Sequence, residues 1–455
     1  MATDSRRLAL RILEAGQRDK TTLDQALDHA GNELDLLSRQ DRNLCNAIVF
    51  GVLRHRGHLD HLIRAFSRIG IDRLNNTVKT ILRMGLFQLV FLDRVPDFAA
   101  IHSSIELAKS RVNKKSSGYI NAVLRKAAEH HADIDLPDRQ KQFPAYLKTT
   151  FSIPVWLGKR WTACYGRANT EAIARSVLEI PPLTLRVNTL KTDRTALATA
   201  FRAQGIAAGE TSFSPLGLHL TGPGHSPAAL PGFNQGHFQI QDEAAQLVVQ
   251  ALGPVSGERV LDACAGLGGK TCHMAQAMEN SGEIMAADIG PEKLKRLEAE
   301  ALRLGITIIR TKPLDILKAG IKDVDGYFDR VLVDAPCTGL GVMRRNPDTR
   351  WKRTGNDIKR MAARQKKILN AAANLVRPGG ILVYAVCSCE PEENETVITH
   401  FLGKRKDYEA DAGGFALTVP DLQGDAESCF QFKTYPGHVE MDGFFMARLK
   451  RKTAP

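Results

Sequence analysis

Two cysteines stand where short apolar runs end. Cys337 closes the run Val331-Leu332-Val333-Asp334-Ala335-Pro336, and Cys387 follows Ile381-Leu382-Val383-Tyr384-Ala385-Val386 after a Gly379-Gly380 turn signal. Both runs read as buried β-strands. In an open α/β sheet, ligands gather outside the carboxyl ends of the strands, which lets two strand-end thiols face one crevice. A single free cysteine is ordinarily a small buried hydrophobe. Two at matching strand ends, one directly after Asp-Ala-Pro, point instead to thiol chemistry, in which the thiolate is the nucleophile.

A second candidate lies after an earlier strand, in Asp262-Ala263-Cys264-Ala265-Gly266-Leu267-Gly268-Gly269-Lys270-Thr271. Glycines there let the backbone turn tightly into a helix and approach a ligand closely. Gly-Lys-Thr invites a P-loop reading. That motif needs a glycine where Cys264 stands, so the phosphate cradle is broken. The run is also a poor match to the dinucleotide fingerprint. Asp288 ends the next strand at the spacing suited to gripping ribose hydroxyls, and Asp315 follows the third strand. Each alone reads as a helix cap or loop residue. At successive strand ends they favour an adenosine-bearing ligand, and S-adenosylmethionine fits. The eight cysteines contain no CxxC pair. Cys387 and Cys389 form a CxC without partner ligands, so neither a structural metal nor a disulfide framework is expected.

The elements that must position these residues follow from the pattern of the chain. Its 455 residues suffice for two or three domains, and 43% hydrophobic with 25% charged residues is the composition of a soluble globular protein. No apolar run is long enough for a membrane span. The start lacks a signal-peptide core, so the cytoplasm is the expected location. Residues 1 to about 130 read as helical, with Leu44, Ile48, Val52 and Leu53 on one apolar face and Ile81, Gly85, Leu86 and Leu89 on another. A polar linker (130–144) and a small α/β insert precede alternating strands and helices. That alternation predicts a doubly wound, Rossmann-like parallel sheet. The expected domains are 1–145 (helical), 146–236 (small α/β) and 237–455 (catalytic). The net charge of +12 suggests a polyanionic partner. Between Thr338 and Gly380 stand eleven Lys and Arg against two acids, Asp348 and Asp357. This run, starting with Arg344 and Arg345, is expected to touch phosphates.

Taken together, these motifs resemble the RNA cytosine-C5 methyltransferase family of the Sun/Fmu type. The resemblance rests on Asp262 to Thr271, on Asp334-Ala335-Pro336-Cys337-Thr338-Gly339-Leu340-Gly341, and on Cys387-Ser388 followed by Pro391-Glu392-Glu393-Asn394. It also rests on His438 with Asp442-Gly443-Phe444-Phe445, and on Arg186-Val187-Asn188 and Gln241-Asp242-Glu243 in the insert. The helical front end, through Gly51-Val52-Leu53-Arg54 and Ile120-Asn121-Ala122-Val123-Leu124-Arg125, is similar to the NusB-like RNA-binding domain. The chain departs from the family pattern at Gly266-Leu267, at Val386 and at the extra Cys389.

The resemblance implies methylation of a cytosine in small-subunit (16S) rRNA, with S-adenosylmethionine as cofactor and a monomer as the default. It makes Cys387 the nucleophile and Cys337 an aid to release, with Asp334 and Lys270 orienting the site. Cys264, Ala265, Gly266, Leu267, Gly268, Gly269, Lys270, Asp288, Asp315 and Asp334 line the cofactor pocket. Arg186, Asn188, Arg344 and Arg345 contact RNA. Two other readings stay open. Cys337 is the nucleophile if the chemistry follows the DNA cytosine enzymes, and a non-catalytic RNA-binding factor could keep the same fold. Amino-methylating enzymes carry an aromatic residue where this chain has a thiol.

Overall fold

Helical periodicity fills the first third of the chain, and in the computed structural model this part is helical. The structure describes residues 4–18, 21–221, 227–414, 430–436 and 440–453. The chain divides into two compact units: Met1–Ile180 with Met343–Thr354, and Pro181–Val342 with Gly355–Pro455.

In the first unit, Ile48 and Val52 of helix Arg39–Arg54 and Ile81 and Leu86 of helix Asn76–Phe91 share one core. Leu44, Leu53 and Leu89 pack half-buried at its edge. Polar side chains start these helices: Ser38 accepts from the Asp41 amide and Asn75 from that of Thr77. Gly85 lets three helices approach. A Cβ there would sit 2.7 Å from Leu124 and 2.9 Å from the Ser104 hydroxyl. The unit runs past the expected boundary at 145. Helices Phe143–Phe151 and Val155–Ser176 belong to it, and the Gly57 amide donates to Ser152 at the end of the first of them.

The chain returns to this unit for Met343–Thr354, and this corrects an expectation. Arg344, expected on a phosphate, is 3% exposed. Arg350 is fully buried, and its guanidinium donates to the carbonyls of Phe151, Val177 and Met343 at 3.2–3.4 Å. Two of those carbonyls close helices, where unpaired C=O groups gather and a cation is favoured. The Trp351 indole donates to the Leu53 carbonyl, and Lys352 pairs with Asp348 at 2.9 Å. Three of the eleven cations, Arg344, Arg350 and Lys352, are therefore buried or paired within the protein.

The second unit begins with a small antiparallel sheet of strands β1 (Leu183–Val187), β2 (Ala207–Glu210), β3 (Gly217–Thr221) and β4 (Phe238–Ile240), in the order β2-β3-β1-β4. The main sheet follows: β5 (Arg259–Asp262), β6 (Glu283–Asp288), β7 (Ile309–Pro313), β8 (Phe328–Asp334), β9 (Val376–Val386), β10 (Tyr408–Ala410), β11 (Gln431–Lys433) and β12 (Phe445–Arg451). Its order is β10-β12-β9-β8-β5-β6-β7, with β11 also pairing β12. Strands β5 to β9 are parallel, and β12 runs antiparallel to β9. The order reverses between β5 and β8, the switch point at which an α/β sheet takes its ligand. Among the described residues no helix is long and apolar enough to cross a membrane.

Arg186 and Asn188, expected on RNA, are each 1% exposed. Arg186 leaves β1 and donates to Gln239 (2.8 Å), the Gly269 carbonyl (3.0 Å) and Gln276 (3.2 Å), and also to Gln241. Asn188 donates to the carbonyls of Gly236 and Leu304. Both fasten the small sheet to the elements behind the glycine-rich turn. Arg186→Ala strands three glutamine acceptors in the interior. It should cost about 3 kcal/mol of stability in urea unfolding, with RNA affinity per folded molecule unchanged.

Candidate active site

At the carboxyl end of β5 the chain turns through Ala263–Gly268 into helix Gly269–Ala277. Gly268 takes φ 84°, and a Cβ there would lie 2.4 Å from Leu297. Glycine is thus required by both backbone conformation and packing. The loop is tied to the next strand: the Ala265 amide donates to the Ala287 carbonyl, and the Gly266 amide to Asp288 at 3.0 Å. Asp288 also accepts from the Gly290 amide. Beside it Ile289 is 61% exposed and Leu267 is 48% exposed. A carboxylate at a strand end, an open turn at Gly266 where a Cβ would meet nothing closer than 4.0 Å, and two exposed apolar side chains fit a ribose and a base. Asp315, half-buried beyond β7, gives one oxygen to the Leu317 amide.

On the other side of the switch point, Asp334 ends β8 and its carboxylate meets Lys270 at 2.6 Å. Lys270 also lies 5.1 Å from the Phe444 ring. Burial works against the ammonium, but the charge and hydrogen bond of Asp334 outweigh it and hold Lys270 above its ordinary value. Asp262 is deeper. Burial pushes its carboxyl up to about 7, although Thr271 donates to it at 2.7 Å.

The thiols of Cys337 and Cys387 are 3.2 Å apart, a hydrogen-bond contact and not a disulfide. The Cys337 thiol is pushed well up, first by its hydrogen bond with Cys387 and then by burial. That shift favours the thiol form of Cys337. Cys389 is 2% exposed, packed against Gly443, and contacts the Thr434 carbonyl at 3.7 Å. It is a packing thiol turned away from the pair, and burial raises it as well. His438 lies outside the described residues. Among the described residues there is no group of three or more His, Cys, Asp and Glu arranged to hold a metal.

The structure therefore gathers Lys270, Asp334, Cys337 and Cys387 at one edge, with the Gly266–Gly269 turn and Asp288 beside them. It leaves Arg186, Asn188 and Arg344 in the interior. Sequence reasoning missed Ile289, Gln365 and the parts played by Phe444, itself in a motif already named, and Glu393. Glu393 lies inside a motif already singled out. Gln365 carries no signal in its own sequence surroundings.

A Rossmann-like sheet with this strand order and this strand-end site defines an S-adenosylmethionine-dependent methyltransferase. Residues 249–450 match the family described as 16S rRNA methyltransferase RsmB/F, residues 3–129 the NusB family, and residues 153–226 a Methyltr_RsmF/B-like, ferredoxin-like domain. The chain is 35% identical over 449 residues to the probable ribosomal RNA small subunit methyltransferase B of Synechocystis sp., covering 98% of this chain and 99% of that one. It is 36% identical over 420 residues to the protein of the same description from Bacillus subtilis, covering 91% and 92%. The crystal structure of PH0851 superposes with a TM-score of 0.83 at 28% identity, covering 98% of each chain. The chain belongs to the 16S rRNA methyltransferase RsmB/F family.

The Asp262 carboxyl makes the site pH-dependent. Folded, it holds its proton up to about 7 against an ordinary 3.8. Its stabilising effect is therefore complete below about pH 4 and lost as pH rises through about 7. Asp262→Asn should lose less melting temperature than the wild type between those limits, as read by a thermal scan at each pH.

Proposed function

We propose that this chain methylates C5 of a cytosine in 16S rRNA through a covalent adduct at C6, with Cys387 as the nucleophile. The observation that carries the reading is the pair of thiols 3.2 Å apart at the strand ends where Lys270 meets Asp334. The relatives' names give small-subunit ribosomal RNA as what they act on.

C5 of cytosine is a weak nucleophile. Addition of the Cys387 thiolate to C6 consumes the C5=C6 double bond and makes C5 enamine-like. S-adenosylmethionine supplies the methyl group to that carbon. A base drawn from solvent then takes the C5 proton; the C5–H bonding pair re-forms the C5=C6 double bond, and the Cys387 sulfur departs with the C6–S pair. Cys337, protonated and in contact, donates to the departing sulfur and so favours release. Asp334 accepts from the amino edge of the base, and Lys270 holds that carboxylate in place. To be reached, the base must leave its stack. The cytoplasm, where rRNA is made and assembled in bacteria, is the location this reading implies, and it needs no partner copy of the chain.

With Arg344 buried, phosphate contact falls to the exposed part of the same basic run. On helix Gly355–Ala373, Lys359, Arg364 and Lys367 are all exposed, and Arg364 is close enough to Cys264 for its charge to act on that thiol. Arg345, half-buried, stays at the start of the run. Replacing Lys359, Arg364 and Lys367 together by alanine should weaken RNA binding and flatten its salt dependence, by up to about one unit of log–log slope for each phosphate no longer neutralised. An unchanged slope returns this face to solvent.

The covalent step is tested on a denaturing gel with unmodified 16S rRNA and S-adenosylmethionine. Cys387→Ala should form no protein–RNA adduct, Cys337→Ala should accumulate it, and Cys389→Ala should behave as wild type. Adduct retained in Cys387→Ala and lost in Cys337→Ala would make Cys337 the nucleophile. Methyl transfer unaffected by Cys387→Ala would leave an RNA-binding factor as the better description.

A further inference from the structure

We propose that Glu393 is a positioning residue that holds the two reactive thiols at their working separation and keeps the proton on Cys337. The proposal rests on the two-thiol reading above, which gives the thiols their roles.

Glu393 is fully buried. Its carboxylate takes four hydrogen bonds, and they come from the residues next to both cysteines and from Gln365. The Thr338 amide donates to one oxygen at 2.9 Å and the Thr338 hydroxyl to the other. The Ser388 hydroxyl donates to that second oxygen at 2.6 Å. Gln365 donates to the first oxygen at 3.0 Å, and also to the Pro336 carbonyl. One carboxylate thus grips the residue after Cys337 and the residue after Cys387, while Gln365 grips the residue before Cys337. Glu393 is itself fixed. Its carbonyl accepts from the Tyr384 hydroxyl at 2.6 Å, and Asn394 donates to the Ser388 carbonyl.

A buried carboxylate is costly unless it is well satisfied. Here all four donors are neutral groups, and between them they satisfy both oxygens. Apolar packing holds two loops together at lower cost, so a fully buried acid at this point is the feature to explain. The titratable groups around Cys337 are Cys387 and Tyr384 from β9, Asp334 with its Lys270, and Glu393. Glu390 lies toward Cys389, and Arg364 toward Cys264. Glu393 bears directly on Cys337, where its negative charge disfavours a second anion and supports the upward shift set mainly by Cys387.

Two variants separate position from charge. Glu393→Gln keeps the shape. Its amide oxygen can accept from the Thr338 amide and Gln365, and its NH2 can donate to the two hydroxyls once they rotate. Glu393→Ala removes the grip altogether. In Glu393→Ala, kcat should fall roughly 100-fold while KM for RNA and for S-adenosylmethionine stays within a few-fold, as expected of thiols displaced by an ångström. In Glu393→Gln, the pH profile for iodoacetamide alkylation of Cys337, followed in a Cys387→Ala background, should move to lower pH by about half to one unit.

An unmoved alkylation profile overturns the electrostatic half of the proposal. A KM increase that accounts for the whole loss in Glu393→Ala overturns the positional half. If Glu393→Ala does not fold, kcat and KM of Glu393→Gln decide: wild-type kinetics together with an unmoved profile would sink the proposal. Alkylation needs no RNA, so a shifted profile without methyl transfer to 16S rRNA would count against the substrate reading and leave the role of Glu393 standing.

Discussion

The site depends on one strand pairing, the parallel register of β8 against β9. Asp334 lies opposite Ala385. Three residues beyond the first and two beyond the second, positions 50 apart in sequence meet at a thiol–thiol distance of 3.2 Å. A slip of one residue would send one of the thiols to the other face of the sheet. The strands resist such a slip because both faces are buried. Val331, Val333, Leu382 and Tyr384 pack into one core, and Leu332, Val383 and Ala385 into the other. A parallel strand covered on both sides reads as a continuous apolar run. The feature that hides the strands in the interior is the same one that fixes the chemistry at their ends.

That is also why so much of the site was legible in the amino-acid order. Apolar runs with an acid or a thiol at the carboxyl end name their own place in a doubly wound sheet, and Asp262, Asp288, Asp334, Cys337 and Cys387 all follow that rule. What the sequence hid was burial of charge. Arg186, Arg344 and Arg350 are indistinguishable by type from arginines that meet RNA. The carbonyl and glutamine acceptors of Arg186 and Arg350 come from positions up to 199 residues away. Past the boundary expected at 145, helix Phe143–Phe151 packs in the unit before it, because polar composition marks a linker only if the helices after it pack elsewhere.

The basic run between the two cysteines therefore has two fates. Between Met343 and Thr354, Arg350 is taken up by helix ends and Lys352 by Asp348. From Gly355 onward they line one side of a helix whose other side buries Ile358, Ala362, Gln365, Ile368 and Leu369. Gln365 belongs to the inner side, which is how a helix with a cationic outer face also reaches the carboxylate beside the thiols. Net charge points to the class of partner, but amphipathicity decides which of the charges can meet it.

The electrostatics of the pocket follow from scarcity of cations. Asp262 and Asp334 both close strands at the switch point, and Lys270 is the cation whose charge acts on both. A fully buried carboxylate with a second carboxylate nearby is costly to ionise. Asp334 is half-buried and in direct contact with Lys270. Asp262, buried beneath the turn and bonded to a hydroxyl, gives its charge up as pH falls through about 7. The same division recurs at the thiols, where the upward shift of Cys337 keeps one sulfur of the pair neutral.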